Sequence, residues 1–229
     1  GATVYQEPLG GSEAAVVYMA RALQREGAKV TVCCSGAPGV FDGVTYIHVS
    51  QFNFLLGENW DVVISSRWHE GLQQQWNAKC RVLWIHDMPS HGGPIYAHVI
   101  FAISKFQAAA WNLPEEHTFV TSNGVDPSIF HRDKQAIRDP NKLVWISNPD
   151  RGLPVAAKIF QDVRQRWPAL TLHVYGRSSV YGWAAEVEQP FLPHVKYMEN
   201  IFIHEALSRA KLAKELKTSW AMFYPTYWP

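Results

Sequence analysis

Cysteine is scarce in this chain: three in 229 residues, two of them adjacent at Cys33 and Cys34. They build neither a disulfide framework nor a CxxC pair for a metal, so a reducing compartment is expected. Long apolar runs are missing too; none approaches the roughly 18 residues of a membrane-spanning helix. Charge of one sign is also missing. Lys and Arg number 21, Asp and Glu 20, for a net charge of +1. That excludes the broad basic surface nucleic acid requires and leaves room for a local anion site. No GxGxxG and no Walker loop occurs, so dinucleotide and P-loop chemistry lack support. His69-Glu70 and His204-Glu205 are followed by Gln73 and Ser208 where a zinc-binding HExxH needs its second histidine. No DxD pair occurs, which removes the obvious carboxylate clamp for a divalent metal on a diphosphate; no metal site is expected. The first residue is Gly1, which suggests a trimmed start and makes the missing signal segment uninformative about location.

What is present suits a packed α/β chain. Hydrophobic residues make up 47% and charged residues 18%, enough for a substantial core. Short runs rich in Val and Ile alternate with amphipathic stretches, which is the grammar of parallel sheets with crossover helices. Strands are expected over 3–5, 30–33, 44–47, 62–64, 82–85, 99–103 and 118–120. A helix capped by Ser12 should run to about Glu26, with Ala15, Met19, Ala22 and Leu23 on one face and Gly27 as its stop. Helices are also expected over 71–77 and 105–111. Residues 130–142 are polar and turn-rich and read as a linker. Beyond it come a strand over 143–146 and a helix over 154–167. The sets Val155, Ile159, Val163 and Ala156, Phe160, Trp167 are spaced there for one buried face. A strand over 170–175, a basic helix over 205–217 and a strand over 220–224 complete the series. The division expected is residues 1–138 and 139–229. The second unit stops just after an apolar strand, where a doubly wound sheet would go on, so the chain is read as a fragment of a longer protein.

Ligands of open parallel sheets lie beyond the carboxyl ends of the strands. Polar groups recur there: Ser65, Ser66 and Arg67; His86 and Asp87; Ser104 and Lys105; Thr121, Ser122, Asn123 and Gly124; Ser147, Asn148 and Arg151; Gly176, Arg177 and Ser178. If the two sheets face each other, these groups line one cleft; loops are polar in any protein, so the alternative is a set of ordinary turns. Gly10-Gly11-Ser12-Glu13, between a strand and a helix, suits a phosphate at helix amides or a plain tight turn. His86 suits a hydrogen bond to a sugar hydroxyl, acid–base work, or a core histidine satisfied by backbone. Arg151 suits a two-pronged phosphate contact or an ordinary surface arginine. Arg209, Lys211, Lys214 and Lys217 read as a solvated face. The ten tryptophans are mostly core, with Trp68 and Trp84 near enough to strand exits to stack on a sugar or a base.

Taken in order, these pieces resemble glycosyltransferase family 4. Gly10-Gly11-Ser12-Glu13 with the helix after it and Lys29-Val30-Thr31-Val32 look like its opening. Trp84-Ile85-His86-Asp87, Ile103-Ser104-Lys105-Phe106 and Ser122-Asn123-Gly124-Val125-Asp126 are similar to later landmarks in the same order. Asn148-Pro149-Asp150-Arg151-Gly152-Leu153 and His173-Val174-Tyr175-Gly176 resemble the start of its second domain. The resemblance implies the GT-B fold, an α/β arrangement of two Rossmann-like domains facing each other, here with the second incomplete. It implies metal-independent transfer, with retention, of a sugar from a UDP- or GDP-sugar donor to a glycan or lipid-linked acceptor, without a cofactor. Residues 1–138 would be the acceptor side and 139–229 the nucleotide-sugar side. By the same resemblance Gly10 and Gly11 would meet the donor phosphate or sugar, His86 the donor sugar, and Arg151 the leaving diphosphate. Gly176 would admit the nucleotide, and Asn123 and Gly124 would shape the donor turn. Arg67 and Ser104 are the acceptor-side candidates. The family pairs an arginine with a lysine after the first strand of the second domain, whereas only Arg151 is found here. Its paired glutamates would follow Pro225, beyond Pro229. A cytoplasmic protein with peripheral contact at a membrane's inner face fits this reading. A non-catalytic nucleotide- or sugar-binding fragment and a GT-B nucleotide-sugar epimerase are the other readings; a phosphorylase would need a pyridoxal lysine that no motif supplies.

Overall fold

The computed structural model describes residues 7–89, 95–177 and 190–226. The strand expected over 3–5 lies outside them. Contacts divide the chain into two units, Gly11–Val125 and Asp126–Pro229, the second also taking the segment before Gly11.

The first unit opens with helix α1 (Gly11–Arg25), which buries Ala14, Val17, Ala20 and Arg21 at helical spacing. It begins at Gly11, so Ser12 lies inside it and does not cap it; the Ser12 hydroxyl instead donates to Glu13 Oε2 at 3.0 Å. Gly27 ends it at φ +92°, with the Ala28 N–H reaching back to the Leu23 carbonyl at 3.0 Å, the bond of a Schellman stop. Strands β1 (Thr31–Cys34) and β3 (Val44–His48) pair in parallel, and β2 (Gly39–Phe41) pairs antiparallel to β3. Ala20 of α1 packs on Val44 and Tyr46 of β3. The hairpin is encoded in Asp42-Gly43, which takes positive φ at both residues, +51° and +75°, as a two-residue hairpin turn requires. A short helix α2 (Phe52–Leu56) follows.

Strands β4 (Trp60–Ser66), β5 (Ala78–Trp84), β6 (Val99–Ala102) and β7 (Thr118–Val120) form a second sheet, all parallel and in chain order. Leu83, Ile85, Ile100 and Ala102 of this sheet bury one face with Leu72, against Ala108 and Trp111 at helix α3 (Lys105–Ala110). The helix expected over 71–77 is only a 3-10 turn, His69–Gln73. Gly71 lies under the Trp68 ring, where an added Cβ would come within 2.5 Å.

The second unit is one sheet of β8 (Asp139–Trp145), β9 (Thr171–Val174), β10 (Ile201–Ile203) and β11 (Ser219–Met222), all parallel in the order β10-β9-β8-β11. Helices α4 (Leu153–Arg166), α5 (Leu192–Lys196) and α6 (Arg209–Thr218) lie between the strands in the chain. Residues 139–141 belong to β8 rather than to a linker, because backbone pairing with β11 is indifferent to their exposed polar side chains. Helix α4 buries Leu153, Ala156, Ala157 and Phe160 on Leu143, Trp145, Leu172 and Val174. Val155, Ile159 and Trp167, expected in that face, are exposed. Spacing alone offered overlapping stripes, and the sheet takes the one with two alanines, which let the helix approach closely. Among the described residues no helix is long and apolar enough to cross a membrane.

Candidate functional site

In the second unit the chain leaves β8 toward β9 on one side, and β11 lies on the other. That reversal is the topological switch point where parallel sheets open a crevice at their carboxyl ends. The residues after β8 and β11 converge there. Tyr224 OH and Ser147 Oγ are 3.2 Å apart, and the Trp145 and Tyr224 rings pack at a tilt with centroids 4.8 Å apart. Thr226 Oγ1 donates to the Arg151 carbonyl at 3.0 Å, and the Arg151 N–H donates to the Asn148 carbonyl at 3.0 Å. The backbone of Arg151 is thus fixed while its side chain is exposed. No hydrogen bond or ion pair engages its guanidinium among the described residues. Gly152 follows at φ +98° as the N-cap of α4, offering no side-chain cap, with Pro154 in the first turn and no acidic residue there. The N-terminus of α4, the positive end of its helix dipole, thus lies directly after Arg151, with Asp150 just before it.

Gly176, after β9, is buried. A Cβ there would lie 1.4 Å from the Ser147 carbonyl oxygen. The glycine is demanded by the approach of two strand exits, whatever else it admits. Next to it the Arg177 guanidinium pairs with Glu205 at 2.8 Å.

The first unit presents a different set. Arg67, at φ +69° after β4, donates Nε to Asp87 Oδ2 at 2.6 Å. Its Nη1 reaches Glu13 Oε1 at 3.1 Å and Ser12 Oγ at 3.3 Å. These carboxylates hold the Arg67 guanidinium pKa above its ordinary value although burial opposes them. The Asp87 carbonyl accepts from Gln107 Nε2 at 3.1 Å and Trp111 Nε1 at 2.8 Å. His86, before it, is half-buried, and its Nε2 is shielded with no partner among the described residues. Burial lowers its pKa, Asp87 opposes that, Arg67 adds to it and Glu13 opposes it, and the net shift favours the neutral ring. Trp84 is 6% exposed, so it is a core residue packed on His86 with ring centroids 4.5 Å apart. Trp68 remains about half exposed and leans on Phe52.

The other sequence candidates fall as follows. Ser104 is the N-cap of α3, accepting from the Gln107 N–H at 3.0 Å. Gly10 is buried and Gly11 is exposed as the first residue of α1. Asn123 and Gly124 are exposed after β7. A Cβ added at Gly11 or Gly124 would meet nothing within 4 Å. The structure thus gathers Arg67 and His86 in one unit and Arg151 and Gly176 in the other. Sequence reasoning missed Glu13 and Asp87 as partners of Arg67, and Tyr224 and Thr226 as ties on the β8 exit. Their signal was the same strand-exit position that singled out their neighbours. Among the described residues no group of three or more His, Cys, Asp or Glu side chains is arranged to hold a metal.

No protein-family model and no curated protein matches the chain. Solved structures do. The crystal structure of AviGT4, a glycosyltransferase involved in avilamycin A biosynthesis, superposes with a TM-score of 0.65 at 16% identity over 95% of this chain. Anabaena Alr3699/HepE, solved in complex with UDP-glucose, gives 0.70 at 12% identity over 97%. A glycosyltransferase from Rickettsia africae ESF-5 gives 0.65 at 12% identity over 96%. The chain has the α/β fold of GT-B glycosyltransferases. It spans 62% of the length of AviGT4, 72% of HepE and 70% of the Rickettsia protein.

Proposed function

We propose that this GT-B chain is the core of a retaining glycosyltransferase of family 4, moving a sugar from a UDP- or GDP-sugar to a hydroxyl of a glycan or lipid-linked acceptor. The observation that carries the reading is Arg151, an arginine with fixed backbone and unengaged guanidinium at the switch point, just ahead of the N-terminus of α4. Such a group suits a diphosphate. As the bond from the sugar to the diphosphate breaks, negative charge grows on the leaving oxygen, and Arg151 with the helix amides stabilises it. The acceptor hydroxyl attacks from the leaving-group side and the departing phosphate takes its proton, which retains configuration. Neutral His86 hydrogen-bonds a donor-sugar hydroxyl. Gly10, Gly11, Asn123, Gly124 and Gly176 line the donor's path, and Arg67 and Ser104 belong to the acceptor side.

In this reading residues 1–138 serve the acceptor and 139–229 the nucleotide-sugar, no metal or cofactor takes part, and the protein works in the cytoplasm. The HepE complex with UDP-glucose supports a nucleotide-sugar as the ligand class. Calorimetric titration with UDP and GDP tests the reading: one of them should bind, and Arg151→Ala should weaken that binding at least about tenfold, the loss of charge-assisted hydrogen bonds. A folded chain that binds neither nucleotide, or an alanine variant that binds as well as its parent, overturns it.

A further inference from the structure

Resting on the transfer reading, we infer that the sugar received at the strand exits of the first unit is uncharged or carries an amine, and is neither phosphorylated nor carboxylated. The charged groups acting on His86 are Asp87, Arg67 and Glu13, one cation against two carboxylates. An arginine at a sugar-facing strand exit invites the opposite reading, that it recruits an anion. Here its Nε and Nη1 are already engaged, and both carboxylates are about half exposed, so they face whatever approaches.

Neither carboxylate is placed to give way. Asp87 is held by its backbone, with its carbonyl on Gln107 and Trp111, and Gln107 is itself buried with its Oε1 accepting from the Ile103 N–H at 2.9 Å. Glu13 sits in the first turn of α1, where the helix dipole favours a carboxylate, and accepts from Ser12. An incoming phosphate must therefore meet two like charges within a few ångströms. An uncharged hydroxyl meets no such opposition. Two shielded polar atoms at the same exit have no partner among the described residues: the indole N–H of Trp84, which is 6% exposed, and His86 Nε2. One is a donor, and a neutral imidazole nitrogen serves as acceptor or donor by tautomer.

Glucose, glucosamine and glucose 6-phosphate, titrated at low ionic strength into the isotope-labelled chain, separate the possibilities when read at the backbone amides of Arg67, Asp87 and Gln107. Glucose and glucosamine should move these amides, and glucose 6-phosphate should do so at least about fivefold more weakly. In Glu13→Gln/Asp87→Asn the discrimination should vanish. Glu13→Gln alone, which leaves the Arg67–Asp87 pair in place, should reduce it about half-way and serves if the double variant does not fold. Equal or tighter binding of the phosphorylated sugar, unchanged discrimination in the variants, or no shift with any of the three sugars up to their solubility overturns the inference. UDP added to the same sample and read at the Arg151 and Gly152 amides reports separately on the transfer reading.

Discussion

Arg67 and Arg151 both follow a parallel strand, and their surroundings are opposite. Arg67 is held by side chains: Asp87, Glu13 and Ser12 reach it across 20, 54 and 55 residues of sequence. Arg151 is held by backbone alone, through Asn148 and Thr226, and its guanidinium is left to solvent. Around His86 two carboxylates face one cation, and that arginine serves as a pin. The second exit leaves its arginine guanidinium exposed, with a helix N-terminus behind it. A charge that is already matched builds structure; one that is left open is available to a ligand. The contrast extends to how the exits are braced: side-chain ion pairs hold Arg67, whereas the β8 and β9 exits rest on backbone approach at Gly176.

The largest expected effect comes from breaking the second brace. Gly176→Ala places a Cβ 1.4 Å from the Ser147 carbonyl, which no side-chain adjustment relieves. It should cost about 4 kcal/mol or more in urea unfolding, or leave the β8–β9 exit unformed. Gly124→Ala, at a position open within 4 Å and without positive φ, should change stability by less than about 0.5 kcal/mol. A tolerated Gly176→Ala would show that the two strand exits separate easily, and the contrast in bracing would fall.

Exchanging the arginines sharpens the comparison further. Arg67→Ala should leave nucleotide affinity within about twofold and lower stability by about 1 kcal/mol, since the ion pairs it removes are partly exposed. Arg151→Ala should do the reverse, sparing stability and losing affinity. Paired calorimetry and urea denaturation on the two variants check this. Equal effects of both on nucleotide binding would mean that the Arg67 carboxylates do not occupy it as the geometry implies.

Much of the fold was legible because parallel strands announce themselves as short runs of Val and Ile. The strand over 118–120 falls on its expected residues, and Gly27 stops α1 as its position after an amphipathic stretch suggested. The failures have physical causes. Ser12 looked like a cap because a hydroxyl before an apolar stripe often is one, but the helix starts a residue earlier and the hydroxyl turns to Glu13. Residues 139–141 looked like linker because the ladder that holds them uses no side chains. At the site, Arg67 and His86 were found from strand-exit position alone. That Glu13 would neutralise Arg67 was hidden, because the contact joins residues 54 apart through a turn that no local pattern encodes.

The smallest expected effect concerns histidines in the same two regions. His173 on β9 lies 2.9 Å from His204 through Nδ1 and Nε2, in a stack with Phe202 and Tyr175. Lys142 of β8 and Glu215 of α6 flank it, paired with each other, and Tyr175 OH donates to Glu215 at 2.6 Å. Burial, helped by Lys142 and His204 and opposed by Glu215 and Asp139, pushes the His173 pKa from 6.5 down to about 4. His204 and His86 are also lowered, chiefly by burial. Between pH 6.5 and about 4 the unfolded chain binds a proton that folded His173 refuses, so this stability is present above pH 6.5 and is lost as pH falls through that window. The urea midpoint should decline across it. His173→Phe keeps a ring in the stack, removes the titration, and should flatten the decline while costing about 1 kcal/mol at pH 7 for the lost hydrogen bond. A variant with an unchanged slope would shift the acid sensitivity to His204 beside it or to His86 in the first unit. If His86→Phe then flattens it and His204→Phe does not, the first unit is the more sensitive to protons.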